Sequence, residues 1–209
     1  MATVPLASIP TVNDLYKSGD LSPPTEVDPA YQPSASLNSK ISIIRASITS
    51  LGVTSIVNAA NKSLLGGGGV DGVIHRAAGP ELVEECRTLE GCETGSAKIT
   101  KGYDLPASYV IHAVGPIYEY ANRKRGGLAA KLLRGCYKTS LDLAKEKGGS
   151  IAFNCISTGV YGYPSAEAAE VAIGETRRWL SEEGHESLDR VVFCLFEMKD
   201  VRAYHSLLP

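Results

Sequence analysis

Asn58-Ala59-Ala60-Asn61-Lys62-Ser63-Leu64-Leu65-Gly66-Gly67-Gly68-Gly69-Val70-Asp71-Gly72-Val73-Ile74-His75-Arg76-Ala77-Ala78-Gly79 is the stretch on which the fold turns. Its four successive glycines each lower helix or strand stability by roughly 0.5–1 kcal/mol relative to alanine. A chain keeps such residues where its backbone must bend sharply or approach a ligand closely. Residues 55–58 before the run read as a strand, and residues 73–78 after it read as a helix. The run therefore connects two elements rather than serving as a loose linker. A helix start offers free amides and a positive dipole end, which favour an anion. No Gly-Lys-Ser/Thr follows the glycines, and no Gly-x-Gly-x-x-Gly with a closing acid is present. A phosphate bound here would rest mainly on main-chain N–H groups.

Working outward, the same alternation recurs. Strands are expected over residues 41–45, 55–58, 97–103, 109–114, 151–155 and 191–196. Helices are expected over 73–78, 80–89, 128–147, 165–183 and 200–207. Pro80 suits a first helical turn, and Gly148-Gly149 and Gly184 suit helix ends. Several strands are apolar at consecutive positions, as strands covered on both faces are. The pattern predicts a three-layer α/β/α domain. In such sheets ligands bind beyond the carboxyl ends of strands, which directs attention to the loops after Asn58, Cys155 and Phe196.

The second of these reads Asn154-Cys155-Ile156-Ser157-Thr158-Gly159-Val160-Tyr161-Gly162-Tyr163-Pro164. It also leaves a strand and enters a helix. Gly159 and Gly162 permit positive φ, and Ser157 and Thr158 place hydroxyls near exposed amides. Tyr161 and Tyr163 are candidates to pack on a sugar or close a cleft. A tight connection without a ligand is the alternative.

Length and composition set bounds. The chain has 209 residues, is 44% hydrophobic and carries a net charge of −2. That supports one core and lacks the basic footprint of a sequence-specific nucleic-acid binder. Arg123-Lys124-Arg125, followed by Gly126-Gly127, is expected to be an exposed loop; the other reading is a rim contact for an acidic substrate. The five cysteines show no CxxC pair and are odd in number, which argues against disulfides and zinc. Reduced thiols in the cytosol or nucleus are expected. No secretory signal or membrane span is visible, so no membrane partner is expected. No metal and no cofactor are expected, because His, Cys and Asp show no ligand spacing along the chain. Residues 1–38 form an extension. Pro10-Thr11 opens a short helix through Leu15 and Tyr16, and a Pro/Ser-rich segment follows with Ser22-Pro23-Pro24, Pro29 and Pro33-Ser34. It is too poor in apolar residues to fold alone and either lies on the domain surface or is partly mobile. The domain proper is 39–209.

Asn58-Ala-Ala-Asn61, the glycine run with Val70-Asp71, Ile74-His75-Arg76-Ala77-Ala78-Gly79 and Ile156 through Pro164 together resemble macrodomains of the MacroD type. Thr94-Gly95, Ala97-Lys98-Ile99-Thr100 and Tyr109 through Pro116 resemble the same class. The similarity runs from about Lys40 to the C-terminus. It implies a macrodomain with a mixed, roughly six-stranded sheet between helices and an ADP-ribose cleft at its top. By this resemblance, Gly67, Gly68, Gly69 and Val70 face Ser157, Thr158, Gly159, Val160 and Tyr161 across the diphosphate and distal ribose. Ser47 and Ile48 meet adenine, and Phe196 stacks on it; an ordinary core phenylalanine is the other reading of Phe196.

The resemblance also assigns catalysis. Asn61 aligns the distal ribose diol, since an amide both donates and accepts; a turn-stabilising Asn is the alternative. Asp71 orients or deprotonates water, or else caps the helix starting near Gly72. His75 follows on the same helical face and steers Asp71 or contacts the ribose-linked group, or else is a buried, hydrogen-bonded histidine. Asn58 organises the loop and is counted among the ligand-binding residues, and His112 is structural. One departure stands out. The family carries Gly-Asp-Ile-Thr where this chain has Ala46-Ser47-Ile48-Thr49, so a carboxylate acceptor for the adenine amino group is replaced by a hydroxyl. Weaker or less adenine-selective binding is expected.

The function implied is hydrolysis of mono-ADP-ribosyl esters on Asp or Glu of proteins, or of O-acetyl-ADP-ribose, by a monomer. The rival is a reader that binds ADP-ribose without turnover. A third possibility is another ADP-ribose derivative or nucleotide.

Overall fold

In chain order the protein forms β1 (Val4–Pro5), α1 (Val12–Ser18), α2 (Ala35–Asn38), β2 (Ile41–Arg45), β3 (Leu51–Gly52), β4 (Ser55–Ala59), α3 (Gly69–Ala78), α4 (Pro80–Thr88), β5 (Ala97–Lys101), β6 (Tyr109–Ala113), α5 (Tyr118–Lys124), α6 (Leu128–Lys147), β7 (Ser150–Phe153), α7 (Ser165–Trp179), β8 (Arg190–Leu195) and α8 (Met198–Leu207). A computed structural model describes residues 2–22, 32–184 and 186–208. Pro23, Pro24 and Pro29 of the Pro/Ser-rich segment lie outside the described residues.

Six strands make one sheet in the order β2-β8-β7-β4-β6-β5. All pairs are parallel except β5 with β6. This is the expected mixed, three-layer α/β/α arrangement. The two-residue side-chain period of a strand sorts residues between the layers. Ile56, Val110, Ala152 and Val192 enter one apolar cluster, with Ile74 of α3 and Leu82 of α4. Val57, Ile111, Phe153 and Phe193 enter the other, with Tyr137 of α6, Ala172 of α7 and Tyr204 of α8. Burial on both faces explains the continuous apolar run Val191 through Leu195 of β8.

The N-terminal residues dock on the β2 side. Val4-Pro5 pairs with Leu51-Gly52, Thr11 bridges to Ser42, and Val12 is fully buried. Thr11 and Asp14 exchange hydrogen bonds of 3.1 and 3.0 Å at the start of α1, a capping box that fixes where the helix begins.

Several boundaries differ from the sequence reading. Arg123 and Lys124 belong to the last turn of α5 rather than to a loop. That helix buries only Ala121, so it leaves almost no apolar period in the sequence. β5 stops at Lys101 because the chain turns at Gly102, where a Cβ would stand 1.9 Å from the Ala107 carbonyl oxygen. α3 starts at Gly69 with Gly68 as its cap. Asp71 is therefore inside the first turn and is not the cap.

Candidate functional site

At the carboxyl ends of β4, β7 and β8 the loops surround a cleft of about 630 Å³, within the range of small-molecule sites. Its walls contain Asn61 and Gly67 through Asp71 on one side, and Ser157 through Tyr161 on the other. Ser47, Ile48 and Phe196 line the end nearest β2 and β8. The two glycine-bearing loops thus meet across one space.

Main-chain donors dominate that space. Among the described residues, the amides of Gly67, Gly68, Ser157, Gly159, Val160 and Tyr161 have no hydrogen-bond acceptor in the protein. Ser157 holds a φ of +68°, a left-handed conformation that L-residues adopt at a cost of about 1–2 kcal/mol. It is fixed by a bond from the Tyr163 amide to the Ser157 carbonyl at 3.0 Å. Beneath it, a Cβ on Gly115 would sit 2.1 Å from Ser157 Oγ, so only glycine lets the loop come down onto the sheet. Val160 is 96% and Phe196 74% exposed. Phe196 is thus at the cleft mouth and not in the core.

Asp71 is 3% exposed and divides its two oxygens. Oδ1 accepts from Asn58 Nδ2 at 2.7 Å and lies 3.4 Å from His75 Nε2, a spacing too poorly aligned for a hydrogen bond. Oδ2 faces the glycine run, where a Cβ on Gly67 would lie 3.0 Å from it and 3.2 Å from Asn61 Nδ2. Burial raises the Asp71 pKa above the ordinary carboxylate range, against the opposing effects of the Asn58 bond and His75. Asn61 donates to the Gly66 carbonyl at 2.9 Å and accepts from Ser63 N and Oγ at 3.0 and 2.7 Å. Its turn-stabilising role and its place in the cleft wall coexist.

Three expectations are corrected. Asn58 is fully buried on β4 and does not reach the cleft, because the strand directs it beneath Asp71. His75 is likewise behind Asp71 and not in the wall. Tyr163 turns into the core and stacks on Tyr118 with ring centroids 4.7 Å apart.

The fold also assembles a group that spacing along the chain concealed. His75, Cys86 and His112 bring ligand-type atoms within 4.8 Å of one another. Among them, His112 has both ring nitrogens engaged with residues outside the trio. His112 Nδ1 faces Asn58 Nδ2 at 3.2 Å and Nε2 faces Thr100 Oγ1 at 2.9 Å. Burial, and secondarily the charge of Glu85, pushes the Cys86 thiol up to about 12, and burial pushes His112 down to about 3. With an amide donating to Nδ1, a neutral His112 carries its proton on Nε2 and donates it to Thr100. The result is a chain from Thr100 through His112 and Asn58 to Asp71.

Asp200 was missed by the sequence reading. It lines the cleft floor from the first turn of α8, is 3% exposed, and has no hydrogen-bond partner for Oδ1. Its other oxygen lies 3.5 Å from Thr158 Oγ1. An acid just past the carboxyl end of the last strand was the available signal. Burial and then Asp200 raise the pKa of Cys155 beside it well above the ordinary thiol value, which disfavours the thiolate.

Comparison with known proteins gives a concordant picture. A family model described as "Macro domain" matches residues 57–172. The chain is 56% identical over 183 residues to mouse ADP-ribose glycohydrolase MACROD1, covering 87% of this chain and 55% of that protein. It is 50% identical over 202 residues to human ADP-ribose glycohydrolase MACROD2, covering 96% and 47%. It therefore spans about half the length of these relatives. The crystal structure of the Trypanosoma brucei macrodomain in complex with ADP-ribose matches with a TM-score of 0.80 and 41% identity, covering 98% of this chain and 76% of that one.

Proposed function

This chain belongs to the Macro domain family, and from that premise we propose that it binds ADP-ribose and hydrolyses the ester joining the distal ribose to an acyl group. The supporting observation is the pairing of free main-chain donors with a buried, amide-held carboxylate in one cleft. Amides of the two loops bind the diphosphate, which explains how a chain of net charge −2 holds an anion without a lysine clamp. Phe196 and Ile48 flank adenine, and Asp200 offers its unpaired oxygen to a ligand hydroxyl or amino group. Asn61 aligns the distal ribose.

Asp71 Oδ2 takes a proton from water as that water adds. The ester C–O bond breaks, one water is consumed, and ADP-ribose and a carboxylic acid are released. Asn58 and His75 position Asp71 without touching the ligand. The activities printed in the relatives' names and the ligand of the trypanosomal structure support this reading. Substrates are mono-ADP-ribosylated Asp or Glu of proteins and O-acetyl-ADP-ribose. Five free cysteines support a reducing compartment, cytosolic or nuclear. The test is ADP-ribose release from a glutamate-modified protein, comparing wild type with Asp71→Ala; equal rates sink the role of Asp71.

The second reading is a module that binds ADP-ribose without turnover. Ser47 favours it, because a hydroxyl stands where the family has a carboxylate. Tight binding with no product in the same assay supports that alternative.

A further inference from the structure

The sheet separates the two ends of the cleft. Ser47 follows β2 and Phe196 follows β8 at one side, while Asn61 follows β4 and α5 follows β6 at the other. The Asp71 end therefore opens toward α5. The Tyr118 amide donates to the Tyr161 carbonyl at 3.0 Å, which ties α5 to the cleft wall. Outward from that tie, Ile117 is 51% and Tyr120 56% exposed. Lys124 Nζ stands 4.5 Å from the Tyr120 ring centroid. Lys62, the residue after Asn61, is close enough that its charge acts on the Tyr120 hydroxyl with that of Lys124.

This rim is locally basic on an acidic chain. Glu93 pairs with Lys62 at 3.2 Å and Glu119 with Arg123 at 3.8 Å, with all four side chains exposed; such pairs are weak and exchange readily. Among the described residues Lys124 and Arg125 have no carboxylate partner. With the distal ribose held at Asn61 and Asp71, as the hydrolase reading has it, a group esterified to it leaves the cleft beside α5.

We propose that Lys62, Tyr120 and Lys124, with Ile117 beside them, are the docking surface for the acceptor polypeptide and favour one with acidic residues flanking the modified Asp or Glu. This rests on the hydrolase reading above. Flanking carboxylates pair with the two lysines, and the aliphatic part of the peptide lies on Tyr120 and Ile117. O-acetyl-ADP-ribose is too small to reach the rim.

The experiment uses two mono-ADP-ribosylated glutamate peptides, one with Glu and one with Lys flanking the modified residue, and O-acetyl-ADP-ribose as the small ester. Wild type is expected to prefer the acidic peptide by about fivefold in kcat/KM at low salt, with the preference fading as salt rises. The double variant Lys62→Glu, Lys124→Glu reverses the preference and leaves O-acetyl-ADP-ribose turnover unchanged. Equal use of the peptides by wild type, or an unchanged preference in the variant, overturns the proposal. Absence of turnover on all three compounds is instead the failure of the hydrolase reading. Calorimetric binding of the two peptides then tests the rim on its own, and equal affinities reject it.

Discussion

Asn58 Nδ2 donates a 2.7 Å hydrogen bond to Asp71 Oδ1, so a fully buried strand residue orients the carboxylate that enters the cleft wall. The same amide nitrogen faces His112, which is anchored in turn by Thr100. A buried polar chain of this kind is rigid only while each member keeps its partner. Asp71 therefore owes its direction to residues no ligand touches.

Replacing Asn58 by Ala removes the donor and with it an influence that lowers the Asp71 pKa. Turnover is expected to fall about tenfold in kcat with KM little changed. The acid limb of the pH–rate profile moves to higher pH, because Asp71 then holds its proton more tightly. A uniform loss with an unmoved acid limb contradicts the positioning role.

Asp71→Asn separates activity from stability. The folded chain binds the Asp71 proton more tightly than the unfolded chain, because burial raises its pKa. The favourable contribution is complete below the unfolded value and is lost as pH rises through the folded one. The variant cannot ionise and still offers Asn58 an acceptor. Its Tm is expected above that of wild type at neutral pH, with the gap closing as pH falls toward the ordinary carboxylate range. Turnover falls by about 100-fold or more. Thermal unfolding across pH, alongside product release, checks both; a lower Tm for the variant at neutral pH refutes the stability argument.

Gly115→Ala tests the loop floor. The added methyl meets Ser157 Oγ at 2.1 Å and Ile156 Cγ2 at 2.7 Å, so the loop must rise and its amides lose their direction. ADP-ribose affinity is expected to weaken by about tenfold while the far-ultraviolet circular dichroism stays unchanged. Wild-type affinity in this variant shows that the loop adapts without loss.

Ser47 Oγ is engaged with Thr49 Oγ1 at 2.8 Å, a neutral contact in the cleft lining that also holds Phe196, where the proposed function puts adenine. Ser47→Asp places a carboxylate acceptor there. Calorimetry is expected to show ADP-ribose binding tightened by about fivefold, the difference between a charged and a neutral acceptor. No gain removes the claim that Ser47 weakens adenine recognition.

Much of this molecule is legible in its sequence. The strands expected at residues 41–45, 55–58 and 109–114 match β2, β4 and β6 closely, because each carries consecutive apolar residues (Ile43-Ile44, Ile56-Val57 and Val110-Ile111), as strands covered on both sheet faces do. The two glycine-bearing loops were identifiable because only a backbone near a ligand or in a tight turn retains such residues. Short α5 was not, since a helix that buries one alanine leaves no period to read.

Local pattern along the chain set the strands, the long helices and the loops with unpaired amides, since those depend on neighbours within a few residues. Tertiary packing alone decided that Asn58 and His75 stand behind Asp71, that Cys86 and His112 gather beside them, that Asp200 joins the cleft lining, and that α5 is tied to the cleft wall through Tyr118 and Tyr161. These contacts join residues tens of positions apart, and their geometry follows from strand order and from which face each side chain takes, neither of which a one-dimensional pattern contains.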